Sequence, residues 1–350
     1  MNRTALLCTS IASLSLVAAA LVIAGPLNPP AGAVSSTYKT LTEVEPRIAI
    51  NAANTPGDAD SLFKITQPGS YYLTGSVTGV SGKRGIEVAS SNVTIDLNGF
   101  ALIGVASSLD GIGASVSVTG VTILNGVIRS WGDGGIDFYS PMARDVRIQG
   151  ITASTNTGDG ISLERQSLVK DCVASGNGAN GFDVYAECVI ENCVASSNIG
   201  DGFFVGALSV VSRCEAHSNG GNGIRSDNNG YSSIFDCVSS ENIGSGIYVH
   251  RGTLVARNNC AFNTAAGIFV SNSDNRIEAN TCISNGRGID VDLAGNIIVR
   301  NTSTGSFFAN WDVVAGNVIL VVNATTAGAV SGDSGGTAPG STDPNANFSY

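Results

Sequence analysis

Carboxylates and tyrosines alternate in one part of this sequence at a spacing that suits sugar chemistry. Asp137 with Tyr139, Glu164, and Asp183 with Tyr185 stand two or four residues after three successive glycines, Gly135, Gly160 and Gly181. If each glycine opens a short strand and the strands lie side by side, these side chains share one face. Glu164 then has Tyr139 and Tyr185 on either side. Asp137 and Asp183 lie diagonally from it, at about 8 Å, from ~4.8 Å between strands and ~6.6 Å along one. Carboxyl groups about 6.5–9.5 Å apart leave room for a water and suit the acid and base of an inverting glycosidase. Tyrosines beside them suit stacking on sugar rings. The catalytic candidates are therefore Glu164, Asp137 and Asp183, and the substrate-binding candidates are Tyr139, Tyr185, Phe204, Tyr248 and His250. Asp227 and His250 fall on neighbouring strands, where a dyad or a surface ion pair would form. The plainer role for the same residues is a solvated acidic face.

A face of this kind needs strands at a fixed repeat, and the sequence supplies one. A glycine followed by a large apolar residue recurs from Gly85-Ile86 to Gly288-Ile289 at intervals of 21 to 26 residues, and Asn310-Trp311 continues the series without the glycine. Other columns keep the same register. Asparagine stands four residues before the glycine at 156, 177, 198, 219, 242 and 263, and cysteine nine before at 172, 193, 214 and 237. Leucine is sparse and no helical periodicity appears between 150 and 300. The pattern predicts three short strands per repeat, coiled into a single parallel β-helix solenoid of about eleven coils, an all-β fold. Stacked at ~4.8 Å, those coils would make a rod of roughly 50 Å.

The columns then acquire causes. Positions one and three after the glycine, such as Ile161/Leu163, Phe182/Val184 and Ile268/Val270, must face inward, because only stacked coils can bury them. Glu215, between the cysteine and alanine columns, could not face a dry core. Cysteine and alanine are therefore placed inside, as packed thiols rather than disulfides, since parallel Cβ vectors give poor bridging geometry. The asparagines read as a turn ladder, in which Asn accepts the left-handed conformation and bonds the amide one coil away.

Composition sets the wider class. The formal charge is −10 and Lys, Arg, Asp and Glu make up 13% of the chain, against a typical ~25%. A basic footprint for nucleic acid is missing, and an acidic chain is not drawn to anionic lipid. Asn2 and Arg3, the apolar stretch 5–24 and Ala31-Gly32-Ala33 read as a secretory signal peptide cleaved after Ala33, with no membrane insertion once it is removed. The expected division is a signal peptide over 1–33, an N-terminal cap over 34–68, the β-helix over 69–325 and a flexible C-terminal tail over 326–350. With two histidines in different columns and buried cysteines, no metal site is expected. Structural calcium is the one cofactor left open, through Asp110, Asp133, Asp159 and Asp201 at the turns.

Gly69-Ser-Tyr-Tyr-Leu-Thr-Gly75, Asn92-Val-Thr-Ile-Asp-Leu-Asn-Gly99 and the Cys-Val-Ala-Ser-x-Asn coils resemble secreted bacterial right-handed parallel β-helix repeat proteins of the pectate-lyase-like superfamily. The resemblance runs over about residues 40–322 and implies the fold. It does not name a reaction, because that superfamily holds lyases, hydrolases, epimerases and adhesins. Two functions stay open. One is an exported protein, secreted, periplasmic or on the cell surface, that binds or modifies a polysaccharide or cell-surface glycan; as an enzyme it would be a polysaccharide hydrolase or lyase. The other is a non-catalytic structural or adhesive rod. A neutral glycan fits better than a polyanion, which this chain would repel.

Overall fold

The computed structural model describes residues 46–139, 143–227, 229–323 and 343–349, within the compact unit Arg47–Tyr350. The expected signal peptide over 1–33 lies outside the described residues. Twelve strands stack in parallel into one sheet, from Ser61–Ile65 and Arg84–Val88 through Ile161–Arg165, Phe182–Ala186 and Phe203–Val205 to Arg287–Val291 and Ala309–Val313. The solenoid thus has twelve coils against the eleven read from the glycines. The additional strand, Ser61–Ile65, lies in the stretch expected to be a cap and lacks the glycine signature, yet pairs in register with Arg84–Val88. The remaining strands line the other faces. They are joined where the eight-residue strands Thr122–Arg129 and Arg147–Ser154 pass round a corner. The described residues contain no α-helix, and none is long and apolar enough to cross a membrane.

Strict register follows from burial on one side. A slip of one residue would turn every inward side chain to solvent. Ile161, Leu163, Phe182, Val184, Phe203 and Val205 are fully buried, and the rings of Phe182 and Phe203 stack face to face at 4.8 Å, the coil spacing itself. Cys172, Cys193, Cys214 and Cys237 are buried free thiols, while Glu215 faces outward.

The turn asparagines form a continuous buried ladder. The Asn219 Oδ1 accepts from the Asn198 backbone N–H at 3.1 Å and from its Nδ2 at 3.0 Å, and Asn219 donates in the same way to Asn242. The left-handed residue is not the asparagine, however, but the one before it: Thr155, Gly176, Ser197, Ser218, Glu241 and Phe262 have φ of 53–62°. The asparagine amide already has partners for its donors and acceptor, so the turn strain falls on its neighbour. Beyond Cys237 the cysteine column itself turns into asparagine, at Asn258, Asn280 and Asn301.

The last rung comes from the stretch expected to be a flexible tail. Asn347–Ser349 is a strand paired with Thr302–Thr304 and Val321–Asn323. The Asn347 Oδ1 accepts from the Asn301 backbone N–H at 2.8 Å and from its side-chain amide at 2.9 Å. Buried donors on the terminal coil must find an acceptor, and the end of the chain returns to supply it.

Candidate functional site

The outer column of the twelve-stranded sheet reads Asp137, Ser162, Asp183, Phe204, Arg225, Tyr248, Phe269 and Asp290, coil by coil. At its start lies a cleft of about 250 Å³, lined by Asp110, Asp133, Asp137, Asp159, Asp183 and Tyr139. The strands position Asp137 and Asp183, two coils apart. The turns before the glycines position the other three. Gly158 keeps the wall open, because a Cβ there would stand 2.9 Å from the Asp133 carboxylate.

Five carboxyl groups in one cleft are costly to ionise together. Burial, the largest cause, raises the Asp110, Asp137 and Asp159 carboxyls above the usual range. Burial and then the Asp159 charge push Asp183 up to about 7. The Arg84 guanidinium, at 3.0 and 3.1 Å from Asp110, opposes the shift there. Asp137 accepts the Tyr139 backbone N–H at 2.9 Å, and Asp183 meets only the Asn180 amide, at 3.4 Å. A cleft of this kind presents both carboxylate acceptors and a carboxyl donor near neutral pH, which matches a ligand rich in hydroxyls.

The turn carboxylates have a second duty. Asp110 Oδ1 accepts the Gly134 N–H at 3.1 Å, Asp159 Oδ1 the Asn180 N–H at 2.7 Å and Asp201 Oδ1 the Asn222 N–H at 2.6 Å. Asn180 and Asn222 continue the pattern to Asp201 and Ser245. This is an outer turn ladder, in which three of the four residues read as possible calcium ligands, Asp110, Asp159 and Asp201, cap backbone N–H groups of the next coil.

Glu164 departs from its expected place. It shares an outer column with Tyr139 and Tyr185, as expected, but it does not line the acidic cleft. Its side chain is 9% exposed and lies 3.6 Å from the Arg165 guanidinium. The rings of Tyr139 and Tyr185, from the coils on either side, meet edge to face at 6.0 Å, and Arg165 lies over the Tyr185 ring at 5.0 Å. The tyrosines therefore pack on each other beside Glu164, whose carboxylate is paired with Arg165.

Farther along, Arg225 is sandwiched between Phe204 and Tyr248, at 5.3 and 5.4 Å from the ring centres, and Tyr248 packs on Phe269 at 5.1 Å. Asp227 and His250 do not form a dyad. The Asp227 carboxylate accepts the Asn229 backbone and side-chain N–H groups, and His250 Nε2 meets the Asn272 amide at 3.3 Å. At the first coils, Asp58, Asp60 and Glu87 gather closely enough to hold a cation. The Lys64 ammonium is that cation, 2.7 Å from Asp58 and 2.9 Å from Glu87.

The model of the right-handed β-helix region matches residues 69–209 and 186–308, together more than half of the chain. The chain belongs to the right-handed β-helix family. Among solved β-helix structures, the A-module of the Azotobacter vinelandii mannuronan C-5 epimerase AlgE6 superposes with a TM-score of 0.63 at 18% identity, over 78% of this chain and 87% of that one. The Dettilon tailspike protein superposes with a TM-score of 0.54 at 14% identity, over 83% of this chain and 60% of the tailspike. At such identity the likeness concerns the β-helix itself. No curated protein matches the chain in sequence.

Proposed function

We propose that this β-helix protein binds a neutral polysaccharide or cell-surface glycan, exported to where such chains occur, in the cleft lined by Asp110, Asp133, Asp137, Asp159, Asp183 and Tyr139. The observation that carries the reading is the gathering of five carboxyl groups in one open cleft with a half-exposed tyrosine at its edge. Sugar hydroxyls donate to carboxylates and accept from a protonated carboxyl, so a glycan would add partners to Asp137 and Asp183, which meet the Tyr139 N–H and the Asn180 amide. The epimerase that shares the fold is named for a polysaccharide, mannuronan, which supports a carbohydrate ligand in general. A polyanionic chain would meet five carboxylates on a protein of net charge −10. A neutral chain meets no such repulsion.

A glycan array tests the reading. The wild-type protein is expected to retain a neutral glycan, and Asp137→Asn/Asp183→Asn to weaken that binding at least tenfold with the β-sheet circular dichroism unchanged. Full binding by the double variant overturns the cleft as the site. Wild-type protein that retains no glycan favours a structural rod.

Modification of the bound chain is a second reading, favoured by Asp183. A carboxyl group pushed up to about 7 and set among other carboxyls is the arrangement by which one fold runs acid and base chemistry on glycosidic bonds. Release of reducing ends from the bound glycan, lost in Asp183→Asn while binding persists, is the expected result. Equal release by the variant excludes Asp183 as the acid.

A further inference from the structure

The same outer column carries a second cleft at its far end, which the first site does not use. It encloses about 480 Å³ and is lined by Phe269, Arg287, Asp290, Asp292 and Asp312, with Asn222 and Ser245. Asp183 and Asp290 are five coils apart by register, which is roughly 24 Å at ~4.8 Å per coil. The second cleft is therefore separate from the first. Between Asp183 and Asp290 on that column, Arg225 lies over the rings of Phe204 and Tyr248.

The groups around this second cleft differ from those of the first. Arg287 lines it, its Nε donating to Asp312 at 3.0 Å and its guanidinium 3.6 Å from Asp290. Its other side lies 5.6 Å from the ring centre of Phe308. Phe308 and Phe307 meet edge to face at 4.8 Å and are 69% and 82% exposed. Their backbone N–H groups are fixed to Asn285 and Gly286, so the two rings are held at the rim by main chain rather than by burial. Exposing two adjacent phenylalanines is unfavourable for a fold unless a ligand covers them.

We propose that this cleft is a second glycan-binding site, in which Phe308 stacks on the face of a neutral pyranose ring while Arg287, Asp290 and Asp312 hydrogen-bond its hydroxyl groups. An aromatic rim beside a mixed donor and acceptor floor matches a sugar, which has an apolar face and a polar edge. Three carboxylates against one guanidinium disfavour an anionic ligand. The ligand class rests on the reading given to the first cleft, whereas the site rests on its own residues.

Affinity electrophoresis in gels cast with dextran, mannan, xylan or galactan separates the two. Three proteins are compared: wild type, Phe308→Ala/Asp290→Asn in the second cleft, and Asp137→Asn/Asp183→Asn in the first. The expected result is that at least one polymer retards the wild type and that the Phe308→Ala/Asp290→Asn variant loses at least fivefold in apparent affinity for it. If that variant binds as wild type does while the first-cleft variant is impaired, the second site is overturned and the first stands. If only the second-cleft variant is impaired, the second site stands and the first reading fails. A wild type that none of the four polymers retards overturns both. Circular dichroism of each variant, matching wild type, shows that a loss is not unfolding. Should Phe308→Ala/Asp290→Asn fail to fold, Phe308→Ser alone gives the same comparison, because that side chain is mostly in solvent.

Discussion

Two ladders run side by side along the turns of this solenoid, and they resolve the same problem differently. The inner one is asparagine throughout. Asn156 accepts the Trp131 N–H, and each amide from Asn177 to Asn263 accepts two N–H groups from one neighbour and donates to the next, so all are buried with their polar atoms paired. The outer one mixes Asp110, Asp159 and Asp201 with Asn180, Asn222 and Ser245, and it runs in the opposite direction, each side chain capping an N–H of the following coil. A carboxylate accepts that N–H in a charge-assisted bond where an amide makes a neutral one, and it adds a charge to the cleft. Where several such charges face Asp137 and Asp183, burial and mutual repulsion raise their protonation rather than being offset. The inner ladder is built for stability. The outer one gives up some stability and gains a cleft whose partners must come from outside, a pattern expected of functional sites.

The sharpest way to break this contrast is to put a charge in the inner ladder. Asn219→Asp replaces an Nδ2 that donates to the Ala195 carbonyl and the Asn242 Oδ1 with an oxygen facing both. We expect a loss of more than about 3 kcal/mol at neutral pH, or failure to fold. Denaturant unfolding will read it. Asn219→Ala leaves the Asn198 donors without their acceptor and should cost about 2–3 kcal/mol in the same measurement.

Removing a charge from the outer cleft should act in the other direction. The Asp183 carboxyl is raised in the folded chain, to about 7 from 3.8. Between those values the folded state binds more protons than the unfolded state, so stability falls as pH rises through that window. Asp183→Asn should therefore raise the melting temperature at pH 8 by a few degrees and leave it nearly unchanged at pH 4, by differential scanning calorimetry. A variant equally stabilised at both values would mean that neither burial nor the neighbouring charges raise this carboxyl. The smallest effect is expected at Asp201→Asn. The amide keeps the oxygen that accepts the two Asn222 N–H groups, so the change in stability should stay within about 0.5 kcal/mol.

The inward side of the fold was legible because strand side chains alternate strictly and only one phase buries Ile161, Leu163, Phe182 and Val184. The asparagine rungs were legible from their period. The position of the left-handed residue was not, since a period shows which side chain is shared between coils but not which φ absorbs the turn. The site was half legible. Asp137 and Asp183 fall in the cleft because they lie on strands, where facing follows from counting. Asp110, Asp133 and Asp159 enter it from turns, whose path no period fixes, and in sequence they looked like calcium ligands. Glu164 was misplaced for a further reason. Counting gives the face a residue occupies, yet not that Tyr139 and Tyr185 reach across its coil and pack on each other. The strand Ser61–Ile65 and the returning Asn347–Ser349 lack the repeat signature because they end the stack rather than continue it.

Among the described residues, the partly buried Asp183 carboxyl of the outer cleft meets one hydrogen-bond donor, the Asn180 amide. Carbon-detected NMR titration of the Asp183 side chain measures its protonation directly. The account predicts an apparent midpoint near 7 in the free protein and a displaced midpoint when a bound glycan supplies hydroxyl partners. A midpoint near 4, unmoved by any ligand, would show an ordinary solvated aspartate and contradict it.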